Sequence, residues 1–486
     1  MPKQSKGYAI EPKYLYRDAC SAALILIDSI LFLAVWLEFV EDNNQTGHLL
    51  GLGNIGMAYL IYVGLAVYCF HSNGALSIGV YRRMRVIASE IIGLFLTDFI
   101  ELFVSIAITG QFRFFPDFLH RYVLLFLVQA AVTGFLTYPM ISVYRMKFPP
   151  LQILEVYGDY YRGEASKMNE VPFKYHIGRT MSYHEGTDAV MEAAESFDAI
   201  LINDVPAKDK SRILKRCFDI NKRVYFVPSL SDIIVRSASD LNLFDTPLFL
   251  CRNRGLSFHY RAEKRFFDIV LSCLALVILS PLLLIVAIAI KAEDGGPVFY
   301  RQERCTQNMR RFSILKFRSM IVDAEKDGRP HPAGEKDDRI TKVGRFIRAT
   351  RIDELPQLIN IIRGDMSIVG PRPERVEHVE LYLKEIPEFK YRYKVRGGLT
   401  GAAQVYGRYN TTALDKLKFD LMYIENASLV TDVQIIFETL KILFQKESTE
   451  GFSKEAQEKI AEEAEKQESV TGTSVEQQEK TTENKP

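Results

Sequence analysis

The residues best suited to chemistry crowd into one stretch of the second half of the chain. Arg345, Arg348 and Arg351 recur every third residue, which sets them near one face if Lys342–Thr350 is helical. Asp353 and Glu354 follow directly, in Ile352-Asp353-Glu354-Leu355-Pro356-Gln357. Asp353 reads as the N-cap of a helix, and Pro356 is tolerated in a first turn because its missing N–H would be unpaired there anyway. The dipole of that helix favours an ionised Asp353 and also attracts phosphate. Beyond Leu358–Ile362 come Arg363-Gly364-Asp365 and then Gly370-Pro371-Arg372-Pro373, whose two prolines pin Arg372 on a stiff loop. Gly397-Gly398-Leu399-Thr400-Gly401 and Gly407-Arg408 add a glycine-rich turn ending in another arginine, and Lys316 and Arg318 precede the set. Cations around a carboxylate pair suit phosphoryl transfer, which needs positioning, dispersal of charge and a nucleophile that a carboxylate can supply. Each arginine taken singly reads more simply as part of a salt-bridged surface.

Other chemistries find little support. The six cysteines are scattered with no C-x-x-C pair, so neither a zinc site nor a disulfide framework is indicated. With 61 basic against 60 acidic residues and a net charge of +1 there is no polyanion footprint, and no nucleic-acid partner is expected. Gly51-Leu52-Gly53-Asn54-Ile55-Gly56 spells a dinucleotide fingerprint but opens an apolar helix with no strand before it, so it is chance or helix packing by small residues. Tyr260-x-x-x-Lys264 looks like a dehydrogenase Tyr/Lys pair, yet stands directly before an apolar helix and is treated as coincidence.

The elements that must carry these residues include several in a membrane. The chain's 48% hydrophobic content is bunched, and Ala19–Val40, Gly53–Phe70, Val86–Thr109 and Tyr122–Tyr144 are each long enough to span a bilayer. Basic residues flank them alternately: Lys3, Lys6, Lys13 and Arg17, then none in 41–52, then Arg82, Arg83 and Arg85, and finally Arg145 and Lys147, with Arg113 and Arg121 a slight exception. Both ends of the four-span segment are therefore expected in the cytoplasm. Asp28, Glu90, Asp98 and Glu101 lie in or near the spans without basic partners there, which favours helix–helix hydrogen bonds, or an interfacial place for Glu90, over an ion path. From Phe148 the texture becomes β-α-β: Leu151–Tyr157, Ala199–Ile202 and Val224–Val227 read as buried parallel strands around helices at Asp188–Ser196 and Lys208–Asn221. Gly158–Gly163 lacks the close-set glycines of a dinucleotide site, so a regulatory or dimerising domain is expected. Phe266–Ile290 is a fifth apolar stretch, interrupted by Ser280-Pro281 where a kink or break is expected, and the basic residues on both sides favour a helix–break–helix returning to its own face over a proline-kinked full span. Leu414–Asn426 and Val433–Phe444 read as amphipathic helices, and the polar tail 447–486 reads as disordered.

Lys316-Phe-Arg318-Ser-Met, Asp353-Glu354-Leu-Pro-Gln and Gly370-Pro-Arg372-Pro, in this order after an interrupted apolar helix, resemble the bacterial sugar transferase family, the monotopic polyprenyl-phosphate glycosyl-1-phosphate transferases, over roughly Arg261–Lys446. The whole chain is similar to long-form members with four N-terminal spans and a degenerate Rossmann-like domain. The resemblance implies a membrane protein of mixed α and α/β class, with a four-helix transmembrane bundle, a re-entrant helix and a mainly α-helical cytosolic catalytic domain. The implied division is 1–18 (cytosolic arm), 19–147 (spans), 148–262 (Rossmann-like), 263–291 (re-entrant helix), 292–446 (catalytic) and 447–486 (tail). The implied reaction moves a hexose-1-phosphate from a UDP-sugar to undecaprenyl phosphate, releasing UMP, as the first step of exopolysaccharide, capsule or O-antigen synthesis. By the same resemblance Asp353 is the nucleophile, Glu354 its partner, Mg2+ is bound at both, and Lys316, Arg318, Arg348, Arg372 and Arg408 contact phosphate. Lys264, Arg265 and Asp268 would seat the re-entrant helix. A homodimer in the bacterial inner membrane, with the catalytic domain in the cytoplasm, is expected. Two positions depart from the family pattern: a glycine is usual where Thr306 stands, two after Arg304, and Pro-Gly is usual at Gly397-Gly398. Alternatives are a membrane-bound sugar-nucleotide dehydratase or epimerase, whose second glycine fingerprint is missing, and an inactive scaffold of the same fold.

Overall fold

The computed structural model describes residues 12–39, 52–109, 112–158, 163–243, 246–251, 255–322, 324, 339–407 and 411–443. The first loop between spans, the Gly158–Gly163 turn in most of its length, Arg408 and the tail lie outside the described residues. Two compact units divide at Val227/Pro228.

The first unit begins with four long apolar helices, α1 (Pro12–Phe39), α2 (Leu52–Ser72), α3 (Arg83–Thr109) and α4 (Phe115–Lys147). Each packs on the next, and α4 closes back on α1 around Phe32, Trp36, Tyr62, Phe70, Leu94 and Phe118. Phe32 stacks on Tyr62 with ring centres 4.0 Å apart. All four are long and apolar enough to cross a membrane. Three of their carboxylates are tied across helices: Asp28 accepts from Thr133 Oγ1 (3.0 Å), Glu90 from Thr137 Oγ1 (2.8 Å), and Asp98 from Tyr62 Oη (3.3 Å). Gln129 Nε2 joins the network by donating to the Asp28 carbonyl (2.9 Å) and Tyr62 Oη (2.7 Å). Thr137 thus gives Glu90 a partner inside the packed helices, as expected of helix–helix hydrogen bonding. Gly53 and Gly56 lie inside α2, with no atom of the described residues within 4 Å of where a Cβ would stand.

After α4 come β1 (Leu151–Tyr157), α5 (Glu164–Asn169), β2 (Tyr175–Ser182), α6 (Thr187–Ala194), β3 (Ala199–Asn203), α7 (Ala207–Asp219) and β4 (Arg223–Phe226). The strands form one parallel sheet in the order β2-β1-β3-β4. β3 is buried throughout and was readable as a continuous apolar run; β2, half exposed at the edge and mixing His176, Gly178 and Arg179 with apolar residues, was not foreseen.

The second unit holds α8 (Leu230–Arg236), β5 (Ser239–Leu243), β6 (Thr246–Leu250), α9 (Phe258–Asp294), β7 (Phe299–Cys305), β8 (Arg311–Phe317), α10 (Lys342–Ala349), α11 (Gln357–Arg363), β9 (Met366–Val369), α12 (Val376–Glu385), β10 (Gly397–Thr400), α13 (Ala402–Tyr406), α14 (Ala413–Glu425) and α15 (Leu429–Leu443). β5–β6 and β7–β8 are antiparallel pairs, and β9–β10 is a parallel one. The unit starts upstream of the 262/263 boundary expected from the sequence, because α8 buries Ile233 in the core built by Val369, Phe389, Leu417, Leu421 and Ile435.

α9 is the frame of this unit, and it corrects one expectation. It runs unbroken through Pro281, where a break was expected. Proline leaves the carbonyl four residues back without its helical donor. Here Ser280 Oγ donates to that carbonyl, Val277 O, at 2.7 Å, so the backbone group is satisfied without opening the helix. At 1.5 Å per residue the helix is about 55 Å long, yet both of its ends are fastened to the same unit. Near the start, Lys264 Nζ pairs with Asp432 (2.6 Å), which also accepts from Tyr260 and Tyr423. Arg265 donates to the Ile361 and Ile362 carbonyls at the end of α11, and Asp268 accepts from Ile368 N–H (2.9 Å) and Ser367 Oγ (3.1 Å). Near the end, Val286 and Ile290 pack on Phe317 and Ile347, Asp294 is forked by Arg318, and Glu293 accepts from the first two N–H groups of α10. The other face is bare and apolar, with Phe266, Leu274, Val277, Ile278, Ile285 and Ile288 exposed. Ser280→Ala should destabilise the purified protein by about 1 kcal/mol, one hydrogen bond, whereas Ser280→Ala with Pro281→Ala should not, because residue 281 then supplies the missing N–H. Thermal unfolding of the two variants checks this.

Candidate active site

Three elements bring the central charges together. β8 carries Lys316; a 3-10 turn, Ile352–Glu354, carries Asp353 and Glu354; the loop after β9 carries Arg372. Alternation in β8 sends Phe312, Ile314 and Phe317 into apolar clusters, and Ile352 joins Phe317 and Ile347, which fixes the turn against the strand. Arg351, with φ of 59°, reverses the chain between α10 and this turn. It therefore leaves the helix face on which Arg345 and Arg348 lie, correcting the expectation that all three share it. α11 begins only at Gln357 with Pro356 at its cap position, so Asp353 is not the N-cap; residues 352–354 close their own turn instead.

Glu354 is locked. Its carboxylate accepts from Lys316 Nζ at 2.8 Å and from Arg372 in a fork, at 2.5 and 3.2 Å. Burial works against its charge, but Arg372 and Lys316 overcome that and hold it well below the usual carboxylate range. Lys316 is itself pushed down by burial, with Glu354 opposing. Asp353 is the reverse case. It is 9% exposed and accepts no hydrogen bond from the described residues. Burial raises it above the usual range, against the pull of Lys316, Arg348 and Arg351 nearby. Neighbouring carboxyls driven in opposite directions take different roles: one permanently charged, one poised to gain and lose its charge.

The remaining expected residues divide. Arg348, half buried on α10, acts on Asp353 through space. Arg318 is not brought to the dyad: it is spent on Asp294, the Pro297 carbonyl and the Met320 carbonyl, because β8 ends beside the end of α9. Arg408 lies outside the described residues. Lys264, Arg265, Asp268, Ser280 and Pro281 all lie on α9 in the roles given above. Arg392, Asp420, Glu374 and Arg304 were missed as parts of the site. Arg392 Nη2 donates to the Arg372 carbonyl (3.0 Å) while pairing with Asp420 (2.8 Å), and Glu374 approaches Arg392 and Lys416. Arg304 donates to the Pro373 carbonyl (3.2 Å), and burial beside Arg372 lowers it to about 10. Arg304 and Arg392 stand in stretches rich in other charged residues, Phe299–Cys305 and Pro387–Lys394, and Glu374 in a loop, so nothing local marks these roles.

The family described as bacterial sugar transferase matches residues 259–446. The chain is 41% identical to the exopolysaccharide production protein ExoY of Sinorhizobium fredii over 84% of that protein and 37% of this chain. It belongs to the bacterial sugar transferase family. It is also similar to a UDP-N-acetylgalactosamine-undecaprenyl-phosphate N-acetylgalactosaminephosphotransferase of Aeromonas hydrophila, 38% identical over 51% of this chain and 60% of the relative. A UDP-glucose:undecaprenyl-phosphate glucose-1-phosphate transferase of Klebsiella pneumoniae is 42% identical over 41% of this chain and 42% of the relative. The chain thus spans about half the length of these two longer members of the sugar transferase family.

Because Glu354 answers two cations in a largely buried place, Glu354→Gln should cost about 3 kcal/mol of stability. Asp353→Asn, which breaks no hydrogen bond, should leave it nearly unchanged. Chemical denaturation of the two variants in detergent distinguishes them.

Proposed function

We propose that the chain transfers a hexose-1-phosphate from a UDP-sugar to undecaprenyl phosphate and releases UMP, in two displacements through Asp353. The observation that carries this reading is the asymmetry of the dyad: an unpaired, buried aspartate beside a glutamate clamped by Lys316 and Arg372. In the first displacement Asp353 Oδ bonds to the sugar-bearing phosphorus as the bond from that phosphorus to the bridging oxygen breaks, and the oxygen leaves with UMP. In the second, an oxygen of undecaprenyl phosphate bonds to the same phosphorus and the Asp353 carboxylate is freed. Glu354 serves as anchor, holding Lys316 and Arg372 where their remaining donors face the diphosphate; Arg348 adds positive charge. The names of the relatives, which specify undecaprenyl phosphate and UDP-sugars, support the substrate pair.

Among the described residues no group of three metal-ligating side chains exists. Mg2+ commonly takes one or two carboxylates together with substrate phosphates, so the site suits a cation held mainly by the diphosphate with Asp353 as the protein donor. The expected second ligand, Glu354, is the poorer donor, since both its oxygens already accept from Lys316 or Arg372. Bound there, the metal would neutralise diphosphate charge.

The attachment of both ends of α9 to one unit supports a helix that enters the inner membrane from the cytoplasmic side with its bare apolar face in lipid. The four preceding helices would form a transmembrane bundle with both ends cytoplasmic. The parallel sheet would be a degenerate Rossmann-like domain with a regulatory or dimerising role in a homodimer. A zipped switch point supports that last assignment. Gly158 N–H donates to the Asn203 carbonyl at 2.8 Å, and a Cβ at Gly158 would stand 1.9 Å from the Asp204 carbonyl oxygen, so backbone fills the crevice where such sheets take ligands.

Incubated with UDP-sugar labelled at the β-phosphate and no lipid, the enzyme should keep the label and release about one UMP per site. The label should then chase onto undecaprenyl phosphate. UMP appearing only after lipid is added would overturn the covalent route. Asp353 must be ionised to attack and its titration is raised, so kcat/KM should fall as pH drops, with a midpoint above about 4, the ordinary aspartate value. Single cysteines near Ala262 and Glu293 in a cysteine-free background should both resist an impermeant thiol reagent outside intact cells; labelling at Glu293 alone would mean that α9 crosses.

A further inference from the structure

The four apolar helices of the first unit gather cations at one end. Arg17 stands near the start of α1, Arg83 opens α3, and Arg145 lies in the last turn of α4. Tyr16 Oη ties α1 to α4 by donating to the Met140 carbonyl at 3.0 Å. Arg83 reaches across to α4, donating to Tyr138 Oη (2.8 Å) and Ser142 Oγ (3.2 Å). Arg145 donates to the Tyr81 carbonyl at 3.3 Å, and Arg85 stacks on the Tyr81 ring, 4.5 Å from its centre. The parallel sheet closes on the same place. Arg145 stacks on Phe173 at 3.8 Å, and Lys174, directly before β2, stands 5.8 Å from the centre of the Tyr81 ring.

Like charges packed in this way repel. Arg17, Arg83, Arg145 and Lys174 are all half-buried, and none has a carboxylate partner among the described residues. Their contacts go to hydroxyls, a carbonyl and ring faces, which orient a cation but leave its charge standing. Nε of each of the three arginines is buried without an acceptor. Burial lowers Lys174 from the usual lysine value, and Arg17 and Arg85 push the same way, against Tyr81 and Tyr225. Removing charge from water without an opposite charge is unfavourable, so the arrangement favours an anion. Beside the arginines the surface is apolar: Met84, Val143 and Met146 are exposed. Crowded cations next to bare apolar side chains, at the ends of helices long enough to cross a membrane, match a phosphate that carries hydrocarbon chains better than a free anion.

We propose that Arg17, Arg83, Arg145 and Lys174 form a site for the phosphodiester of an anionic phospholipid, with the lipid chains along Met84, Val143 and Met146. Guanidinium donors suit phosphate oxygens, and Lys174 adds a point charge from the side of the sheet. The headgroup supplies the missing counter-charge and joins sheet to helices through one ligand. Undecaprenyl phosphate is the rival lipid, but cations for its phosphate already stand in the second unit, at Lys316 and Arg372. The proposal rests on the four helices crossing a membrane and not on the transfer reaction.

The full-length protein in neutral detergent, at fixed salt and without UDP-sugar, is titrated with dioleoylphosphatidylglycerol or dioleoylphosphatidylcholine. Native mass spectrometry counts the bound lipid. One phosphatidylglycerol should stay bound after others are stripped, and phosphatidylcholine should not. Lys174→Gln and Arg145→Gln should each weaken that binding about tenfold, the equivalent of one charge-assisted hydrogen bond, while Lys174→Arg should keep it. Arg82→Gln and Lys147→Gln remove exposed cations at the same helix ends and should leave it unchanged, which separates a site from the general pull of a basic membrane flank. Phosphatidylglycerol should raise the thermal midpoint of the wild type more than that of Lys174→Gln. If either site variant fails to fold, Arg17→Gln takes its place with the same expected loss. Binding by Lys174→Gln equal to wild type, an equal loss in Arg82→Gln and Lys147→Gln, or no preference over phosphatidylcholine would overturn the site. Displacement of the bound lipid by an equal concentration of undecaprenyl phosphate, or by inorganic phosphate in excess, would overturn its assignment to a phospholipid. UMP release is measured separately, so failure here leaves the transferase reading standing, and an inactive enzyme that binds the lipid as expected leaves this site standing.

Discussion

Two cations on one carboxylate hold the site together. Lys316 comes from β8, Arg372 from the loop after β9, and Glu354 from the turn between α10 and α11, so their ion cluster joins three pieces of chain. The cluster is largely desolvated, and a desolvated charge is tolerable only while all its partners are in place. That requirement explains the depth of support behind it: Arg392 and Arg304 grip the backbone of the Arg372 loop, and Asp420 and Glu374 in turn answer Arg392. Charge balance is passed outward, residue by residue, until it reaches side chains that water can serve.

The same logic seats α9. The inner face of α9 packs on Phe317 and Ile347 near its end and is fixed near its start by directional contacts: Lys264 with Asp432, Arg265 with two carbonyls left over at the end of α11, and Asp268 with the start of β9. Arg265 thereby closes α11 and Asp268 aligns β9, so the long apolar helix also sets two of the elements around the dyad.

Much of this was legible beforehand. The long helices announce themselves by apolar length, β3 by a run of buried residues, and the site by Lys316, Asp353, Glu354 and Arg372 in their spacing. What was not legible depends on distant partners. Pro281 reads as a break because its effect is local, while the Ser280 hydroxyl that offsets it could have pointed elsewhere. Asp353 followed by proline reads as a cap, but tertiary contacts of Ile352 pull the segment into a separate turn. Arg318 looks equal to Lys316 two residues away, yet β8 ends at Phe317 and leaves Arg318 to Asp294. Arg392 and Asp420 carry no local signal, since neither makes sense without the other.

The left-handed residue before the dyad has a further implication. Arg351 holds φ of 59°, a conformation that costs a residue with a Cβ about 1 kcal/mol and that glycine adopts freely. Were chain reversal the only demand at this position, glycine would be the easier occupant. An arginine there places a guanidinium close enough to Asp353 to pull against the rise that burial causes, which glycine could not do. A turn can in this way be read as a balance, in which the strain of the main chain weighs the charge that it carries.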